Sequence, residues 1–211
     1  MPPTARFVAS FAAEPPQEPL PYGRWAETLA EQFRAACAVA SADDGTDPGT
    51  LGEVAWYPDR TWGGRTYIPA TALTDQGWEY FGYVSFTPGD AENEPGDFLA
   101  VADLTDETAE RNPDWRLDLS DEVVGIWRGE HGHRAEMTLV WGVPLVPNGA
   151  LVTAELADLA VDQCELVDNR FTLLAPDNYR SDFLEVKLWT ARGELLARES
   201  LYVEDDEGNE A

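Results

Sequence analysis

Aromatic and polar positions alternate most clearly from Trp78 to Phe86, a run of nine residues that holds five aromatics. Aromatic side chains suit a pleated surface, so the run predicts a strand. Trp78, Tyr80, Gly82, Val84 and Phe86 share one face; Glu79, Phe81, Tyr83 and Ser85 share the other. The first face is apolar and the second mixed. That pattern suits a central strand with one face on a core and the other against a loop, a helix or a ligand.

A different period comes earlier. Trp25, Leu29, Phe33 and Cys37 recur every fourth position, with Ala30, Ala36 and Ala40 beside them. This predicts an amphipathic helix over residues 24–40 whose stripe packs on a core. Residues 1–23, with Pro15-Pro16, Pro19 and Pro21, read as a proline-rich arm. Turn chemistry makes residues 41–50 a loop. From residue 51 onward the signals are short apolar runs separated by turns. They fall at 54–57, 65–70, 78–86, 98–104, 122–128, 135–141, 150–156, 164–167, 171–175, 183–189 and 195–203. Pro69 suggests a strand edge or end. Asp168-Asn169 suggests a hairpin turn, and the Gly63-Gly64 pair a tight reversal. Residues 204–211 read as an acidic tail.

About ten short strands behind one helix predict a mainly β protein, a β-sandwich or partly closed barrel over residues 51–203. Sliding the chain on itself by about 85 residues sets Phe86-Thr87 on Phe171-Thr172 and Asp97-Phe98-Leu99 on Asp182-Phe183-Leu184. It also sets Trp56 on Trp141 and Gly64 on Gly149. An internal duplication would divide the β region into similar halves, 51–134 and 135–204.

Charge narrows the partners. The chain of 211 residues has a formal net charge of −26, and Lys187 is its only lysine. Such a field repels nucleic-acid phosphate and anionic membrane, and favours a basic protein partner. Two lone cysteines, Cys37 and Cys164, build no disulfide framework and fit a reducing compartment. No segment reads as a secretory signal or a membrane span, so a cytoplasmic location is the expectation.

Two constellations are candidates for chemistry. His131 and His133, the only histidines, would project from one side of a strand, as paired metal ligands do, with Glu130 or Glu136 adding a carboxylate. These eight residues from Gly129 to Glu136 resemble the His-x-His…Glu first motif of cupins. The resemblance implies a transition-metal site in a β-rich enzyme or sensor. Glu136 stands one residue short of the motif, and no histidine remains for the second cupin motif. The competing reading is a glycine-flanked turn between two strands.

The second constellation is aromatic: Trp56, Tyr57, Trp62, Tyr67, Trp78 and Tyr80, with Arg65 among them. Trp and Tyr give binding surfaces rigid area with a polar tip; the competing reading is that most of them fill the core, their commoner use in a mostly β chain. Trp62, beside two glycines in a turn, is the one least suited to a core. No phosphate loop, dinucleotide fingerprint, nucleophile elbow or His-Glu-x-x-His motif is present. The sequence therefore points first to a non-catalytic protein that binds a protein partner or self-associates through an aromatic-rich β surface, with no cofactor. The alternatives are a cupin-like metal protein centred on His131 and His133, and a carbohydrate-binding module.

Overall fold

The computed structural model describes residues 11, 20–45, 47–89, 94–129 and 132–201. Most of the proline-rich arm and the acidic tail lie outside them. The helix, α1 (Gly23–Asp44), carries the expected stripe: Leu29, Phe33 and Cys37 are buried, and Trp25 packs edge-on against Phe86 at 5.1 Å. Full burial of Leu29 and Phe33 stabilises the docked helix by roughly 1.5–3 kcal/mol for each side chain. The helix runs past residue 40 to Asp44, into the first part of the stretch read as loop. It stops at Gly45, whose φ of +69° is the left-handed stop that glycine accepts without strain.

Twelve strands follow among the described residues: β1 (Ala55–Trp56), β2 (Arg60–Trp62), β3 (Arg65–Leu73), β4 (Glu79–Thr87), β5 (Gly96–Thr105), β6 (Leu117–Arg128), β7 (Arg134–Pro144), β8 (Leu151–Leu156), β9 (Leu159–Glu165), β10 (Phe171–Asp177), β11 (Leu184–Trp189) and β12 (Leu195–Ser200). They form three antiparallel sheets, none closed into a barrel. An outer sheet has the order β1-β3-β4-β5, with β2 also on β3. A middle sheet has the order β10-β7-β6, and a far sheet the order β12-β11-β8-β9.

Side-chain alternation stacks these layers. Ile68, Ala70, Ala72, Tyr80, Val84 and Phe86 face α1. Tyr67 and Tyr83, on the opposite face of the same strands, pack with Met137, Leu139 and Trp141 of the middle sheet. Val140, Phe171, Leu173 and Ala175, on the other face of the middle sheet, meet Val152, Ala154, Val186 and Leu188 of the far sheet. The order is helix, outer sheet, middle sheet, far sheet. The aromatic strand β4 is thus central, its first face under the helix and its second against a sheet.

Two local expectations need correction. Pro69 lies inside β3, not at an edge, because β1 pairs at Ala70–Thr71 and β2 at Arg65–Tyr67, so Pro69 falls between the two pairings. Asp168-Asn169 does form a turn with positive φ at both residues, closed by Val167 and Arg170. The flanking strands then part, β9 to the far sheet and β10 to the middle one. The segments equated by the offset of about 85 residues have different neighbours: β5 pairs with β4, whereas β11 pairs with β8. The boundary at 134 cuts through the β6–β7 ladder.

Candidate functional site

The structure uses most of the aromatic constellation for packing. Trp56 and Tyr80 sit in the cluster beneath α1, and Tyr57 and Tyr67 lie between the outer and middle sheets, all at most 8% exposed. They form no surface, because β3 and β4 are covered on both faces. Trp62 ends β2, just before a turn whose two glycines have positive φ. Its ring lies over the backbone of Gly125, where an added Cβ would come within 2.5 Å of the indole. The side chain is a strut from β2 to β6. Arg65 is another, donating from Nη2 to Ser85 Oγ at 3.1 Å and to the carbonyl of Asp97 at 2.6 Å. Trp78 is half-buried at the turn before β4, where its N–H donates to Thr74 Oγ1.

Of the metal candidates, Glu130 and His131 lie outside the described residues. His133 is half-buried with its ring edge-on to Tyr179 at 5.9 Å, and its carbonyl accepts from the Gly129 N–H, which closes the β6–β7 turn. Glu136 is exposed on β7. Among the described residues no three His, Cys, Asp or Glu side chains are placed to hold a metal together.

The notable site is one that no motif marks. A cleft of about 390 Å³ opens between the margins of the outer and middle sheets. The outer sheet gives it Glu79 and Phe81 from β4, and Asp103 and Thr105 from β5. Glu79 is opposite Thr105 in the ladder and Phe81 opposite Asp103, so all four project from one face. The connection to β6 gives Glu107 and Trp115, and β6 gives residues 118–122, Asp-Leu-Ser-Asp-Glu. Six carboxylates line the cleft, and no Lys, Arg or His does. Larger hollows of about 530 and 570 Å³ lie at the start of α1 and beside the β11–β12 turn, but each gathers a single carboxylate.

Burial, with neighbouring charges second, raises four of these acids. Glu79 is pushed to about 7, first by burial and then by the charge of Asp118, against a lowering hydrogen bond with Thr71. Burial raises Asp118. Burial and then Asp177 raise Asp121; burial, Asp121 and Asp103 raise Glu122. Between the ordinary Glu value of 4.5 and about 7, the folded chain holds a proton on Glu79 that the unfolded chain does not. Stability therefore falls as pH rises through that window. Discounted for solvent screening, the loss is about 1–2 kcal/mol, or roughly 3–6 °C in Tm. Calorimetric melting at pH 5 and pH 8 checks this: the wild type should lose those degrees and Glu79→Gln should lose clearly fewer.

Comparison with protein-family models, with curated proteins and with solved structures returns no match at any level that would assign a family.

Proposed function

We propose that this chain is a non-catalytic binding protein whose acidic cleft receives a positively charged segment of a protein partner. One observation carries the reading: six carboxylates from three separate stretches converge on one cleft with no cation among its lining. Folding raises the proton affinity of four of them, chiefly by burial and, for Glu79, Asp121 and Glu122, also by neighbouring carboxylates, so ionising the cleft carries a desolvation cost and some mutual repulsion. A guanidinium or ammonium group entering the cleft relieves that repulsion. Phe81, Trp115 and Leu119 add an apolar and aromatic wall that suits arginine, which stacks on rings as well as pairing with carboxylates. A like-charged second copy or a nucleic acid would be repelled at this surface.

Titration with a capped arginine-rich peptide tests the reading. The wild type should bind it at low salt, and the Asp121→Asn/Glu122→Gln variant about tenfold more weakly, equivalent to about 1.4 kcal/mol. Binding should release a proton near pH 7, visible as a dependence of the measured heat on the buffer. Equal affinity for both proteins would sink the assignment to the cleft.

A second reading rests on Glu79 alone. A carboxyl that titrates at about 7 beside Asp118 can donate a proton at neutral pH, as the general acid of a sugar-cleaving carboxylate pair does. Turnover of a chromogenic glycoside that vanishes in both Glu79→Gln and Asp118→Asn would favour it over binding.

A further inference from the structure

Five successive residues of β6, 118–122, border the same cleft. Successive side chains of a strand point to opposite faces, so one face could supply only alternate members of that run. Leu119 belongs to the cluster shared with the far sheet, while Val124 belongs to the one shared with the outer sheet, so both faces of β6 are in use. A cleft that meets both faces of a strand must wrap around its edge. β6 is the terminal strand of the middle sheet, and among the described residues the backbone of residues 118–122 is hydrogen-bonded to β7 alone. The edge of β6 that faces away from β7 therefore borders the cleft beside its carboxylates. β5 is also a terminal strand, but it lends the cleft only Asp103 and Thr105, from one face.

We infer that the partner segment is an extended, arginine-containing strand that adds antiparallel or parallel to the edge of β6 that no described strand covers, deepening the reading above, on which this inference rests. Strand addition takes affinity from main-chain hydrogen bonds and specificity from alternate side chains. Here the alternate side chains fall among Glu79, Asp118 and Glu122 on one side of β6. The register irregularity between Val123 and Gly125 ends the regular edge, which limits the added strand to about five to seven residues. Charge selects the occupant. The β6 edge of a second copy would bring the same carboxylates against these, and like charges across a strand pair repel, so the edge is guarded against self-pairing while open to a basic strand.

A capped peptide of about eight residues alternating Arg and Thr tests this, together with two analogues of equal charge N-methylated on alternate residues, one set for each edge of the peptide strand. At least one analogue should bind about tenfold more weakly than the parent. Amide exchange at residues 117–123 should slow on binding of the parent, and alternate amides should account for the protection. If both analogues bind as the parent does and exchange in β6 is unchanged, strand addition is wrong while cation binding in the cleft stands. If none of the three peptides binds, both readings fall.

Discussion

Asp162→Asn should lower stability by about 3–5 kcal/mol, far more than most single substitutions in a sheet. Asp162 on β9 stands where the three sheets meet. Its Oδ2 accepts from the Leu174 N–H of β10 at 2.8 Å and lies 3.4 Å from Nε of Arg60 on β2. Arg60 has no exposed side-chain surface, and its Nη2 donates to the carbonyl of Gln163 at 3.2 Å. Burial pushes the Asp162 carboxyl up while Arg60 and backbone N–H groups pull it down, and burial is the larger effect. The pair is thus costly to bury, and costlier still to break, since the asparagine variant leaves a guanidinium enclosed without a counter-charge. Replacing both partners, Arg60→Met with Asp162→Leu, should recover part of the loss, the remainder being the Leu174 N–H and Gln163 carbonyl left without these partners. Urea melts of the two variants check the pair. A single variant within 1 kcal/mol of wild type, on the order of an exposed ion pair, would show that the junction is solvated.

Gly82→Ala should cost about 3 kcal/mol, at the upper end for overpacking. Gly82 lies at the centre of β4, on the face beneath α1, opposite Ala102 of β5. A Cβ there would stand 2.1 Å from the Val101 carbonyl oxygen and 2.9 Å from the Ala102 Cα. Both are backbone atoms, so no rotamer change relieves the clash. β5 must shift, and with it the surface on which Trp25 meets Phe98 at 5.9 Å. Gly96→Ala is the control in the neighbouring strand. Nothing lies within 4 Å of its added Cβ, and its stability should change by no more than about 0.5 kcal/mol. Equal thermal shifts for the two variants would contradict the close approach of β4 and β5.

How far these features could be read from sequence depended on whether they are local. The period-four stripe from Trp25 to Cys37 and the alternation from Trp78 to Phe86 are properties of neighbouring residues, and both the helix and the central strand follow from them. The burial of the aromatics follows from cover on both sheet faces. β3 carries Tyr67 on one face and Ile68 on the other, and β4 carries Tyr83 and Val84, a two-sided pattern that signals cover on both sides. Read that way, Trp56, Tyr57, Tyr67 and Tyr80 belong in cores. The acidic cleft had no local signature. Glu79, Asp103 and the 118–122 run come together only through the β4–β5 register and the stacking of two sheets. In a chain with 40 acidic residues, no spacing distinguishes those carboxylates from the rest. One signal was available: Asp-Leu-Ser-Asp-Glu carries charge on both parities of a strand, as a strand edge facing water or a charged partner does.

The central claim is that the cleft, and not the general charge of −26, selects the partner. Amide chemical-shift mapping of the labelled protein during titration with a capped arginine-rich peptide tests it most directly. The expected result is saturable shifts concentrated at Glu79, Phe81, Asp103 and residues 115–123. Shifts spread over the acidic surface, without saturation, would contradict it.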